Sequence, residues 1–351
     1  AGRAAAPRRR RRLAGGAALA LCAAGAFWNG KAFMASWLAA WWFWFGLGLG
    51  AQAIVWLHRL TGGAWGAALM PALDRLRAPV PIVAALVLPV LLVPSALYPW
   101  AAGAAPEEGF PAAWLTPAGV ALRGIAWVAL CALLCLAWGR GRRPASAGFA
   151  ALGLAAYGYG ISLGSVDLLM SLVPHWYSAG FGLTVAVASM KCALAAAALR
   201  QAPALPPPLR ADAGNLLLMF VMTWAYLSYT QLLIIWAENL PHEIAWYLPR
   251  LQTGWAWLGL LLAAAGFALP MALLLFRRLK TDARWLRAIA AVVLATGWAD
   301  VLWWILPSVA PVGFGALWML PLATLGMGAV ASAWPWRPPP APAAARGAHH
   351  A

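Results

Sequence analysis

Charge is what this sequence has least of. Only 10% of its 351 residues are charged, and just nine are acidic; soluble domains carry roughly a quarter. That scarcity excludes an ordinary water-soluble fold, which could not keep 64% hydrophobic residues dry at this length. Cysteine is scarce as well. Cys22, Cys131, Cys135 and Cys192 all lie inside apolar segments, so no disulfide framework of exposed loop cysteines is indicated. The spacing of Cys131 and Cys135 puts them on one helix face, and packing is the expected role of all four. There is no CxxCH haem-attachment motif and no iron–sulfur cysteine cluster. Histidine is limited to His58, His175, His242, His349 and His350. None of their positions allows two to clamp a haem within a helix bundle. The sequence therefore predicts a chain with no redox cofactor of its own.

What is present is apolar sequence in long runs. A helix needs about 20 apolar residues to cross the hydrocarbon core of a bilayer. Ten such runs are legible, at roughly 13–27, 32–57, 79–97, 118–138, 147–172, 177–199, 216–236, 255–276, 285–306 and 312–334. The expected class is an all-α integral membrane protein of about ten transmembrane helices. Residues 1–12 read as a basic cytoplasmic head, 13–334 as the polytopic domain, and 335–351 as a disordered Pro/Ala-rich tail. Residues 8–26 also resemble a signal peptide, and reading them as the first helix is the preferred alternative.

The net charge of +16 raises nucleic acid as a partner. The basic residues, however, sit in short clusters between apolar runs, which argues for topology and a lipid bilayer, with no nucleic acid. With the amino terminus inside, Arg3 and Arg8–Arg12 fall on the cytoplasmic side. So do Arg59, Arg75, Arg77, Arg140, Arg142, Arg143, Arg200 and Arg210. Arg277, Arg278, Lys280, Arg284, Arg287, Arg337 and Arg346 follow. Lys31 and Arg250 alone fall on the outer side. Both termini are thus expected in the cytoplasm of a bacterial inner membrane. The 24 tryptophans read as interfacial anchors.

Four charges remain inside the runs: Arg123, Asp167, Lys191 and Asp300. Each costs about 2.5–3.5 kcal/mol on the insertion scale, so all should face protein, water or one another. Counting along the runs places Arg123, Asp167 and Asp300 in the outer half, level with Thr230 and Gln231, and Lys191 in the inner half. Gly153, Gly160 and Gly164 share the Asp167 side of their helix, a small-residue stripe that turns Asp167 into the bundle. Two readings stand open: a polar pocket or proton path, and a buried ion pair of Arg123 with Asp167 or Asp300 that fixes packing. His175 and His242 with Glu238 and Glu243 match no metal spacing.

Two stretches carry a resemblance. One is Asp167-Leu-Leu-Met-Ser-Leu-Val-Pro-His175-Trp176-Tyr177-Ser178. The other runs from Trp224 through Tyr229-Thr230-Gln231 to Glu238-Asn-Leu-Pro241, Trp246-Tyr247 and Arg250, then to Asp300 and Trp303 to Pro307. Over residues 160–307 the chain resembles the F-type membrane subunit (ActF) of alternative complex III. That assembly is a quinol:cytochrome c or quinol:oxidase system, and its subunit belongs to the NrfD/polysulfide-reductase group. The resemblance implies two related four-helix bundles plus a peripheral pair. It implies c-type cytochrome and iron–sulfur partners, a sister NrfD-like membrane subunit, and quinol only at a partner interface. His175, Trp176, Tyr177 and Glu238 would form its outer-face motif. The sequence departs from the family at Ser95-Ala-Leu-Tyr98-Pro-Trp100, which lacks histidine, at His242-Glu243 and at Leu168. A polytopic transporter or channel, and an accessory or assembly protein of a terminal oxidase, remain the alternatives.

Overall fold

A computed structural model describes residues 2–103, 110–140, 146–309 and 317–334; side chains are described from residue 9 onward, without 110, 111 and 138–140. Every described regular element is helical. A backbone in lipid must satisfy its own hydrogen bonds, and the helix does so within one segment.

The chain opens with α1 (Gly2–Ala24) and α2 (Gly30–Thr61), the latter capped by the Asn29 side chain accepting from Ala32 N at 2.9 Å. Gly62 and Gly63, both at positive φ, reverse the chain into α3 (Ala64–Arg77). Prolines then divide the continuation into α4 (Val80–Ala85) and α5 (Leu88–Leu92). The short α6 (Phe110–Trp114) precedes α7 (Pro117–Arg140) and α8 (Ala147–Leu168). Next come α9 (Phe181–Gln201) and α10 (Pro207–Glu238), which Asn239 closes in the left-handed conformation. The turns α11 (Pro241–Ile244) and α12 (Leu248–Leu251) lead to α13 (Ala256–Leu261). A π-helical segment, Leu262–Ala268, joins α13 to α14 (Leu269–Leu275). Then follow α15 (Arg277–Thr281), α16 (Ala283–Val309) and α17 (Met319–Ser332).

Eight helical stretches among the described residues are long and apolar enough to cross a membrane. The protein is therefore an all-α, multi-pass membrane protein. The expected first and tenth runs differ from the rest. The apolar part of α1 follows its arginines, and α17 has 14 residues. These two pack antiparallel: Arg12 Nη2 donates to Ala333 O at 3.2 Å, and a Cβ on Gly15 would lie 2.9 Å from Gly326 O. Trp44 of α2 ties α17 to the body through its indole N–H to Thr324 O, at 2.8 Å.

Helices α2, α3–α5, α7 and α8 pack as one group of four, and α9, α10, α13–α14 and α16 as a second. The groups meet where α9 packs against α2, α8 and α3, most extensively where α2 crosses α9. There Gly46 and Gly50, a small-xxx-small pair, admit Ser189; a Cβ on Gly50 would collide with the Ser189 carbonyl. The α1–α17 pair flanks α2.

Several expectations need correction. The third span begins at Ala64, not 79, because Asp74, Arg75 and Arg77 look like a loop by hydropathy yet continue a helix. Span seven starts at Pro207 rather than 216. Not every tryptophan can be an interfacial anchor: Trp37, Trp41, Trp42, Trp56, Trp100, Trp176, Trp224, Trp246 and Trp304 are buried in the core. Trp41 stacks on Phe45 at 4.7 Å between centroids, and Trp127 meets both edge-on. The Pro/Ala tail, Arg140, Arg142, Arg143 and His349–His350 lie outside the described side chains.

Candidate functional site

The first buried charge pair closes the end of α8. Asp167 sits one residue before its last residue and is buried; Arg123 stands on α7. The pair is bidentate, with Arg123 Nε to Asp167 Oδ2 and Nη2 to Oδ1, both at 3.0 Å. Trp114 completes it: its indole N–H donates to Asp167 Oδ1 at 2.7 Å, its carbonyl accepts from Arg123 Nη2 at 2.9 Å, and its ring lies 4.0 Å from the guanidinium. Both carboxylate oxygens and two of the three guanidinium nitrogens, Nε and Nη2, are matched, as suits a structural clamp. The glycine stripe works as a socket for tryptophan: Gly153 receives Trp56, and Gly160 and Gly164 receive Trp127.

A second pair lies in the other bundle and is matched differently. Lys191 and Asp300 are buried, and neither Lys191 Nζ nor Asp300 Oδ2 has a hydrogen-bond partner. Lys191 Nζ sits 3.4 Å from the ring centroid of Trp224, a cation–π contact. The Trp224 N–H lies beside the Asp300 carboxylate without forming a well-aligned hydrogen bond, and the two charges sense each other electrostatically. Counting along the runs separates Lys191 from Asp300, but packing brings them to one site: both lie against Trp224, from α9 and α16.

Asp300, but not Lys191, lines a cavity of about 510 Å³ between α9, α10, the π segment and α16. Asp300, Trp224, Gln231 and Tyr247 are among its walls, and it reaches the surface at Tyr226 and Tyr229. Gln231 Nε2 donates to Tyr247 Oη at 3.4 Å. Thr230 is not a wall residue. Burial pushes the Tyr247 phenol up to about 12, with the Gln231 hydrogen bond opposing the shift.

Two further buried polar groups escape a reading by hydropathy. Arg77 pairs with Asp74 at 2.7 Å and reaches Gln52 Oε1 at 3.1 Å, while its Nη1 is 3.4 Å from Cys135 O. Cys135 and Arg123 are separated by about 18 Å along α7, so the two ion pairs sit at opposite ends of the first bundle. Arg250, expected as an outer loop charge, is fully buried. It donates to the carbonyls of Trp246, Trp303 and Trp304 and to Ser308 Oγ, and its guanidinium lies 3.5 Å from the Trp246 ring centroid. It thereby serves carbonyls near the carboxyl-terminal end of α16, where the helix dipole favours a cation. Burial holds its guanidinium well below the usual arginine range.

The outer-face motif divides. Trp176 is buried and stacks on Trp246 at 4.8 Å. His175, Tyr177 and Glu238 are exposed, with Tyr177 facing His242 at 6.3 Å between centroids. Among the described residues no group of three His, Cys, Asp or Glu could hold a metal ion. An echo links the two bundles: Asp167 and Asp300 each stand in the fourth helix of their group and seven residues before a proline, Pro174 and Pro307.

Fold and sites define a multi-pass helical membrane protein with buried acid–base pairs in both bundles. No protein-family model matches the chain, and no curated protein matches it.

Proposed function

We propose that the chain is a membrane subunit of a respiratory quinol-oxidising electron-transfer complex of the alternative complex III type. It would lie in a bacterial cytoplasmic membrane with its basic loops and both termini inside. Its partners would be c-type cytochrome, iron–sulfur and sister NrfD-like membrane subunits, and it would carry no redox centre of its own. Its role is structural and proton-conducting. The resemblance over residues 160–307 supports the assembly. The observation that carries the proton role is the Lys191–Asp300 pair, buried together against Trp224 with polar atoms left unmatched, Asp300 lining a cavity. Buried ionisable groups of this kind in a membrane mark ion or proton routes by default. Asp167, engaged on both oxygens by Arg123 and Trp114, is assigned to the structural role.

Mild solubilisation of a tagged chain from its own host tests this reading. It should bring down c-type cytochrome and iron–sulfur subunits in fixed proportion. Recovery of the chain alone would contradict the assembly and favour a transporter, a reading to which the cavity beside Asp300 also lends itself. Alkaline-phosphatase fusions after residues 108 and 243 should be active, and those after 143 and 280 inactive; the reverse pattern would overturn the orientation.

A further inference from the structure

The cavity of the second bundle is drug-sized, and its walls are mostly aromatic and aliphatic. Phe181, Trp224, Phe267, Trp303 and Trp304 supply ring faces and edges. At its inner end stands Asp300, only 3% exposed, with Oδ2 unpartnered. The other end lies at Tyr226 and Tyr229, 68% and 62% exposed, on the middle of a 32-residue spanning helix. A side chain exposed at that depth faces lipid, so the cavity opens sideways into the bilayer.

The far wall is unusual backbone. Leu262 and Phe267 belong to the π-helical segment, whose wider turn displaces these side chains from a regular α-helical register. Gly259 keeps α13 close to α16: a Cβ there would lie 2.7 Å from the Trp303 ring. A local departure from regular helix geometry thus forms part of the cavity wall.

We propose that this cavity binds a neutral, lipid-soluble molecule bearing an aromatic hydroxyl group, with the hydroxyl donating to Asp300. Each part of that description follows from the walls. Ring-lined walls favour an aromatic body through offset and edge contacts. The lateral opening admits molecules dissolved in the bilayer. Asp300 is an acceptor, so the head must donate a hydrogen bond. Lys191 already supplies the counter-charge beside Trp224, so a second cation is disfavoured and a neutral donor fits. The proposal stands whether or not the chain belongs to a respiratory complex.

The test uses the full chain in lipid nanodiscs and two probes of the same body: 4-nonylphenol and nonylbenzene, each with a photoreactive diazirine in its alkyl chain. Cross-linked residues are mapped by mass spectrometry across a concentration series. The phenol should label α10 around Tyr226–Leu232 and the Leu262–Ala268 segment, saturating at about tenfold lower concentration than nonylbenzene, since hydrogen bonds to ionised groups are among the stronger ones. Asp300→Leu combined with Lys191→Met removes both charges together, so neither is left uncompensated; it should abolish the preference for the phenol. Ala263→Phe, which fills the cavity without touching a charge, should remove saturable labelling by either probe. Equal labelling by the two probes, labelling spread evenly over lipid-facing helices, or labelling unchanged by Ala263→Phe would each overturn the proposal.

Discussion

Arg123 and Asp167 share two hydrogen bonds of 3.0 Å across α7 and α8, and Trp114 binds both of them from the segment before α7. Removing one partner leaves the other charge buried and uncompensated, at a cost of about 3–5 kcal/mol. Asp167→Asn should therefore reduce the amount of folded protein in the membrane. An added Arg123→Met should restore much of it, which quantitative immunoblotting of both variants checks.

Helix crossing at the bundle interface gives a second expectation. A methyl on Gly50 meets backbone, the Ser189 carbonyl, which has no rotamer with which to yield. Gly50→Ala should lower thermal stability in detergent by about 1–3 kcal/mol through overpacking. Gly158→Ala in α8, where nothing lies within 4 Å, should be neutral or slightly stabilising.

Arg250 should resist conservative replacement. It serves three carbonyls and a hydroxyl in several directions at once, which a single ammonium cannot do. Arg250→Lys is expected to lose about 1–3 kcal/mol, and Arg250→Ala at least as much, because buried carbonyls near the end of α16 lose their partners. Thermal unfolding of the purified variants measures both.

At the start of α16, Asp282 accepts from Arg284 N at 2.7 Å and Trp285 N at 3.2 Å. These backbone N–H groups, Trp285 first, hold its carboxyl below the usual range. A depressed acid contributes its stabilisation above the unfolded-state pKa and loses it as pH falls through the folded-state one. The first turn of α16 should therefore exchange its amides faster as pH drops below about 4, after correction for intrinsic exchange. Asp282→Ala should show the faster exchange already at neutral pH and no further change on acidification.

Much of the fold is legible because lipid leaves the backbone few choices. Long apolar runs become helices, and the glycine stripe beside Asp167 announces an inward-facing carboxylate. The partner of that carboxylate is not legible, since Arg123 and Asp300 stand at similar depths along the chain and only packing brings α7 to α8. Lys191 shows a second limit: depth counted along each run says nothing of which side chain of another helix, here Trp224 of α10, brings it together with Asp300. Asp74 and Arg77 read as loop charges because each lowers hydropathy, although together they neutralise one another inside a helix. Arg250 reads as solvated for the same reason; the carbonyls that bind it come from α16, far away in sequence. The Gly46–Gly50 spacing was a visible sign of close helix approach.

In the proposed function the two aspartates divide the work, Asp167 holding the structure and Asp300 exchanging protons. The direct measurement is quinol-driven proton uptake and the amount of assembled complex, determined in the same membranes for Asp167→Asn and Asp300→Asn. Asp167→Asn should lower the amount of complex and leave uptake per complex unchanged. Asp300→Asn leaves Lys191 buried without its counter-charge and so should also lower assembly, but it should in addition reduce uptake per assembled complex, because an amide cannot exchange the proton. Normal uptake per assembled complex in Asp300→Asn would contradict the account.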